Sequence, residues 1–287
     1  MSASSAVPEP ATVGPLTRTD FVRYAGAGGD FNPVHHDDEY ARGLGFPSVF
    51  AMGMLPAGIL GGYVSRWLGP RGIGYFGVRF TQPTWPGDAL DLTAADLDAD
   101  GQASLSATAD GDSRITGSVV RAAGHSPARS ESGKKSTDRL ATILSTKLDD
   151  VVLPVERGKV IEFSRAVHAP QIHVDLEMAR AAGYADLPAP PTFTACVAHW
   201  SGGDATAVPI AAGLDIRRVL HGEQRYWFTQ PVVAGQMLQG KREVSAAWTK
   251  ESRSGGQMTF VVVTTEFVES DGTPILVEEM VMVERPE

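Results

Sequence analysis

The sequence predicts an α+β fold built twice along the chain. Three observations lead there: a buried-type apolar helix followed by strand-like runs in each half, a series of matching residues in the two halves, and a polar stretch between them. The length of 287 residues suits two units of roughly 130 residues each. The halves match in order and spacing. His35-x-Asp37-x-x-x-Ala41-x-x-x-Gly45-Phe46 recurs as His173-x-Asp175-x-x-x-Ala179-x-x-x-Gly183-Tyr184, and Ala51 falls opposite Ala189 at the same offset. The tetrapeptide at Phe80–Pro83 recurs at Phe228–Pro231, followed by Gly87 and Gly235.

The elements follow in the same order. Short helices are expected over about 37–43 and 175–182, and apolar helices enclosed on most sides over about 52–68 and 191–200. Strands are expected at Gly74–Thr81, Ala89–Leu97, Ala103–Ala109 and Arg114–Arg121, then at Glu223–Thr229, Met237–Thr249, Met258–Ser270 and Thr273–Val283. Asp271-Gly272 suits a hairpin turn between the last two. Residues 122–150 are rich in Ser, Gly, Lys and Arg and read as a linker, with a short helix at their end. The expected organisation is a flexible leader over 1–14, a unit over 15–121, the linker over 122–150, and a second unit over 151–287.

Composition narrows the function. A net charge of -9 argues against a nucleic-acid partner. The N-terminus lacks the basic start and apolar core of a signal peptide, and the apolar run Val49–Val64 is broken by glycines and a proline, so no membrane span is expected. The single cysteine, Cys196, suits a reducing, cytoplasmic setting and reads as a buried apolar side chain.

The segment that carries chemistry is Tyr24-Ala-Gly-Ala-Gly-Gly-Asp30-Phe-Asn32-Pro33-Val-His35-His36-Asp37. Gly26, Gly28, Gly29 and Pro33 read as a loop. A turn at Asn32-Pro33 can bring Asp30 and His35 together. An Asp and a His on one cleft can handle a proton and a water: one group deprotonates the water, the other moves a proton or holds the imidazole tautomer. From spacing alone, an Asx-turn beside a surface histidine is equally open.

This stretch, followed by Gly45-Phe46 and by Ala51-Met52-Gly53-Met54, resembles the signature of MaoC-like, (R)-specific enoyl-thioester hydratases. The resemblance covers the first half. It implies a double hot-dog fold, each unit a long central helix wrapped by an antiparallel sheet. It implies that Asp30 and His35 are the catalytic pair, that Asn32 orders the loop and the water, and that the Gly53 N–H stabilises the thioester oxygen. Enolate charge at a helix N-terminus makes physical sense of that last role. The family carries a histidine where this chain has Met52. The second half resembles the partner domain of the superfamily, through Val160–Val167, Leu187–Phe193 and Leu220–Gln224, with His168 or Ala169 in place of the aspartate. That half is expected to shape the acyl pocket without catalysing.

The implied reaction is hydration of a trans-2-enoyl thioester, carried on coenzyme A or acyl carrier protein, to an (R)-3-hydroxyacyl thioester. It needs no metal or other cofactor. The alternatives are a hot-dog thioesterase and a non-catalytic acyl-thioester-binding subunit. A monomeric pseudo-dimer or a homodimer is expected. Among the remaining residues, His36 reads as solvent-facing, His125 as a linker residue, and His199 as core or pocket rim. His173 and His221 read as satisfied by local backbone, and Arg66, Arg71 and Arg79 as surface residues with phosphate contact as the alternative. Gly72-Ile-Gly74-Tyr-Phe-Gly77 runs into a strand and reads as a chance match to the dinucleotide fingerprint.

Overall fold

The computed structural model describes residues 7–131, 137–200, 207–252 and 255–286. Residues 1–6 of the expected leader and 132–136 of the expected linker lie outside the described residues. The first half runs β1 (Ala11–Val13), α1 (Arg18–Gly28), a 3-10 turn at Pro33–His35, α2 (Asp38–Gly43) and α3 (Met54–Leu68). It continues through β2 (Ile73–Phe80), β3 (Leu90–Ala94), β4 (Gln102–Ala109) and β5 (Asp112–Arg121). After α4 (Asp138–Leu144), the second half repeats the order: β6 (Val151–Pro154), α5 (Arg157–Ala166), a 3-10 turn at Gln171–His173, α6 (Leu176–Ala181) and a 3-10 helix at Phe193–His199. Then come α7 (Ala207–Ala211), β7 (Val219–Phe228), β8 (Met237–Glu251), β9 (Gln257–Glu269) and β10 (Pro274–Glu284).

The strands form one sheet in the order β1-β3-β4-β5-β2-β7-β10-β9-β8-β6, which reads alike from either end. The seam is the antiparallel pair β2–β7, where Phe76 lies opposite Tyr226 and Gly77 opposite Arg225. The Phe76 and Tyr226 rings stack across it, 6.4 Å between centroids. Helix α3 is wrapped by the first half's strands, and every residue of it except Met54 and Arg66 is buried. Its apolar all-round sequence demands such enclosure. The short helices begin where the repeated aspartates cap them: Asp37 accepts from the Glu39 and Tyr40 N–H groups, Asp175 from Met178.

Four expectations change. Residues 11–13 of the leader are a strand paired with β3, and Tyr63 Oη donates to the Pro8 carbonyl, so this stretch is anchored. Tyr24 to Gly28 are the last turns of α1 and not a loop, because Thr17 and Asp20 form a reciprocal cap that starts a helix strong enough to run through the glycines. The second half's apolar helix is a 3-10 helix of 7 residues, where α3 has 15. Pro188, Pro190 and Pro191 precede it and Gly202 and Gly203 follow it in sequence, which disfavours a longer α-helix. The stretch from Pro127 to Ser130 is tied to the second half's strands. Trp227 Nε1 donates to the Pro127 carbonyl, and the Ser130 N–H and hydroxyl donate to the buried Glu279 carboxylate.

The halves also approach closely where α3 meets the end of α5. A Cβ on Gly58 would stand 2.4 Å from Val167 Cγ1, and one on Gly62 3.2 Å from Ala169 Cα. Arg71 adds a clasp, its guanidinium 4.0 Å from the Tyr184 ring centroid while it donates to the Ala182 and Gly183 carbonyls. Gly58→Ala is therefore expected to destabilise the protein by about 1–3 kcal/mol despite alanine's better helix propensity. In a urea-denaturation cycle with Val167→Ala, the double variant should recover part of that loss. Additive effects would show that this close approach does not limit stability.

Candidate active site

The end of α1 delivers the first candidate residue. Gly29 caps the helix at φ 78°, with its N–H on the Ala25 carbonyl. A Cβ on Gly28 would meet the Tyr24 ring at 3.0 Å, and one on Gly29 would meet His199 Nε2 at 3.2 Å. These glycines let two rings close on the helix end, and the chain then turns sharply. Asp30 Oδ1 accepts from the Asn32 N–H at 3.2 Å, and Asn32 Oδ1 accepts from the Val34 N–H at 3.2 Å. This nested Asx-turn starts the 3-10 turn that carries His35.

His35 is 9 % exposed. Its Nδ1 lies 2.8 Å from the Phe50 carbonyl oxygen, which can only accept, so Nδ1 carries the proton. Nε2 then presents its lone pair, and Asp30 Oδ2 lies 3.7 Å from it. That gap is too long for a direct hydrogen bond. Burial pulls the His35 pKa below the ordinary histidine range, against the opposing pull of the Asp30 carboxylate and the Phe50 carbonyl. The neutral imidazole with a free Nε2 is the form this arrangement holds near neutral pH.

Phe50 also leads into the second part of the site. Three residues on, Gly53 is the N-cap of α3, with no side-chain cap and no acidic residue in the first turn. The positive end of the helix dipole is therefore uncompensated by side chains. A Cβ on Gly53 would press on the Phe80 ring at 3.2 Å. Asp30 and Met54, the first residue of α3, line one cavity of about 230 Å³. Met52, at the position of the family's histidine, is 2 % exposed and part of the core.

The cavity runs into the second half. His221, Gln224 and Tyr226 of β7 line it together with Asp30 and Tyr24. His221 Nε2 is 3.0 Å from Gln224 Oε1, and its ring packs 4.8 Å from that of Phe80. Burial depresses its pKa to about 4. Satisfaction by local backbone was too narrow an expectation for this residue, which faces the cavity. No pattern along the chain places His221 beside Asp30, because they meet through the β2–β7 seam. Two of the three arginines have other tasks than phosphate contact: Arg71 clasps the second half, and Arg79 pairs with Glu223 across the seam at 2.5 Å. Arg66 is exposed, and His36, also exposed, meets the Phe31 carbonyl at 3.2 Å. His199 packs its ring edge-on against Phe31, 6.2 Å between centroids. Cys196 is fully buried, which pushes its thiol pKa well up.

His173 repeats the His35 device with a different outcome. Its Nδ1 meets the Pro188 carbonyl at 2.7 Å, fifteen residues on as in the first half, but its Nε2 meets Ser65 Oγ of α3 at 2.7 Å. At the place of Asp30 stand His168, exposed and at φ 52°, and Ala169. Among the described residues, no group of three or more His, Cys, Asp or Glu side chains is arranged to hold a metal ion, and no helix is long and apolar enough to cross a membrane.

An antiparallel sheet curved around a helix, joined edge to edge with a second copy in one chain, defines a double hotdog protein. The same fold occurs in a MaoC-domain dehydratase from Chloroflexus aurantiacus, which superposes with a TM-score of 0.63 at 14% identity over 98% of this chain and 94% of that one. It also occurs in a Mycobacterium tuberculosis protein essential for survival during infection and described as a double hotdog, at 0.61 and 13% over 96% and 94%. Residues 5–114 match the MaoC-like domain model and residues 143–278 the FAS1-like dehydratase domain region. A UPF0336 protein of Leifsonia xyli is 38% identical over 123 residues, 42% of this chain and 78% of the relative. Another from Clavibacter michiganensis is 42% identical over 120 residues, 42% and 75%. The chain belongs to this UPF0336 family, with a MaoC-like domain ahead of its FAS1-like dehydratase region.

The paired histidines generate a stability prediction. Burial holds the His173 pKa at about 4 in the folded chain. The unfolded chain binds the proton near pH 6.5, so stability is full above that pH and is lost as pH falls toward 4, by up to roughly 3 kcal/mol. His173→Gln should be less stable at pH 7 and lose less on acidification. Denaturant midpoints at both pH values check this, and an unchanged acid slope in the variant would refute it.

Proposed function

We propose that this chain reversibly hydrates trans-2-enoyl thioesters of coenzyme A or acyl carrier protein to (R)-3-hydroxyacyl thioesters, with Asp30 and His35 as the catalytic pair. The observation that carries the reading is the fixed tautomer of His35, its unprotonated Nε2 3.7 Å from Oδ2 of Asp30, which lines the cavity. A water seated beside the pair donates a hydrogen bond to each atom. His35 Nε2 takes one proton as the water oxygen bonds to C3, and the electron pair of the double bond moves toward the thioester carbonyl. The imidazolium then returns its proton to C2, while the Asp30 carboxylate holds the new hydroxyl and steadies the cation. Charge on the carbonyl oxygen is stabilised by the Gly53 N–H and the dipole of α3. Asn32 keeps its side chain on the Val34 N–H and serves by fixing the turn. The second half supplies the far wall of the acyl pocket.

Conjugation of the enoyl thioester absorbs in the ultraviolet and is lost on hydration, so turnover is followed directly. Asp30→Asn and His35→Gln should each lower kcat by at least roughly 10²-fold with the melting temperature little changed. Near wild-type rates in either variant would sink the assignment. The rate should also fall as pH drops through the His35 pKa, because protonation removes the base. With that pKa held down by burial, the acid limb of kcat/KM should lie below pH 6.5. An acid limb above that value would contradict a buried, neutral base.

A further inference from the structure

The inner wall of the cavity carries a polar row that hydration at Asp30 does not use. Register places Arg242 of β8 opposite Thr265 of β9, Thr265 opposite Glu278 of β10, and Glu278 opposite Tyr226 of β7. All four line the same cavity as Asp30. The flanking rows are mostly apolar: Val244, Val263 and Met280 on one side, ending in Gln224 of β7, and Phe267, Leu276 and Phe228 on the other. Four polar side chains abreast, between rows of which one carries only Gln224 and the other no polar side chain, mark one depth of the pocket.

The groups in this row are incompletely partnered. Glu278 accepts from Thr194 Oγ1 at 2.5 Å. Arg242 donates Nε to the Asp149 carbonyl, and no described residue accepts from its terminal nitrogens. Arg242 and Glu278 make no ion pair with each other within 4.0 Å, although both face the cavity. The hydroxyls of Tyr226 and of the neighbouring Tyr24 are buried without a hydrogen-bond partner. Unsatisfied buried polar groups cost about 1–3 kcal/mol each, so such a row calls for a guest that can both donate and accept. Burial also raises Glu278 to about pKa 7, which leaves its carboxyl able to act either way near neutral pH.

We propose that Arg242, Thr265, Glu278 and Tyr226 form a subsite for a hydroxyl group on the acyl chain, so that the preferred thioester is oxygenated along its length rather than a plain hydrocarbon. The hydroxyl donates to Glu278 and accepts from Arg242 or Tyr226. This rests on the acyl pocket assigned above, and it is tested by binding as well as by turnover, so that the two readings fail separately.

The probes are saturated acyl-CoAs of increasing length, each as the plain alkyl, the ω-hydroxy and the ω-carboxy compound, titrated into the full chain by calorimetry. At one length the hydroxy compound should bind at least tenfold more tightly than its alkyl counterpart. Glu278→Met should abolish that preference and improve alkyl binding, while Glu278→Gln, which retains a hydrogen-bonding amide, should keep part of it. Thr265→Val serves as a milder variant if the methionine substitution does not fold. Equal binding of alkyl and hydroxy compounds at every length would overturn the subsite and leave the row as a hydrated wall. Preference for the carboxy compound would overturn the hydroxyl assignment. Absence of turnover on any enoyl thioester, with the hydroxy preference intact, would sink the hydration reading alone.

Discussion

Helix α3 can lie against the Val167 side chain and the Ala169 backbone of the other half because Gly58 and Gly62 carry no Cβ. A methyl group at Gly58 would overlap the Val167 side chain, and one at Gly62 would press on the Ala169 backbone, in an interior with little slack. That approach lets β2 and β7 pair along Tyr75–Arg79, and the pairing makes two sheets into one. The pairing in turn places His221, Gln224 and Tyr226 on the wall facing Asp30. Asp30 belongs to the first half, but the cavity it lines is walled largely by the second.

The two histidines of the repeat show how one local device serves two ends. In each, Nδ1 donates to a carbonyl fifteen residues ahead, which fixes the tautomer and leaves Nε2 as an acceptor. The first half ends α1 on Gly29 and follows it with a carboxylate whose Oδ2 lies 3.7 Å from that acceptor. The second half has no carboxylate there, and Ser65 fills the place from α3. A buried acceptor must be satisfied in either case. The second histidine contributes by joining the halves, and its neutral state in the folded chain is a consequence of that burial.

Much of this was legible along the chain because local chemistry and period carry it. The His-x-Asp repeat marks a 3-10 turn and a helix cap in each half, and the β-branched runs mark eight of the strands. Asp30, Asn32 and His35 were within reach because they lie in one turn. The strands β1 and β6 were not, since each has at most four residues and exists by pairing with an edge. The glycines at the end of α1 misled for a definite reason: their role is to admit the rings of Tyr24 and His199, which chain position does not reveal. Cross-strand neighbours such as Arg242, Thr265 and Glu278 meet only through register. One signal was present, the paired acids Glu278-Glu279 inside an apolar strand. Adjacent strand residues face opposite sides, so one of the two had to point inward.

The pocket itself follows from the shortened helix of the second half. In the first half the 15 residues of α3 fill the concave face of the sheet. In the second, the 3-10 helix Phe193–His199 covers only the end of that face near Phe267, where Phe193 and Cys196 join the main core. The opposite end is covered by Leu140 and Ile143 of α4 and Val208 of α7, packed on Val244, Val261 and Met282. Between these two covers the strands keep a stretch that no described helix fills, and the cavity occupies it. The inner end of that stretch is the row from Arg242 to Tyr226. A half whose covering helix is short thus keeps open space where the other half is packed, and the polar side chains along its wall are positioned to sort what enters from the Asp30 side.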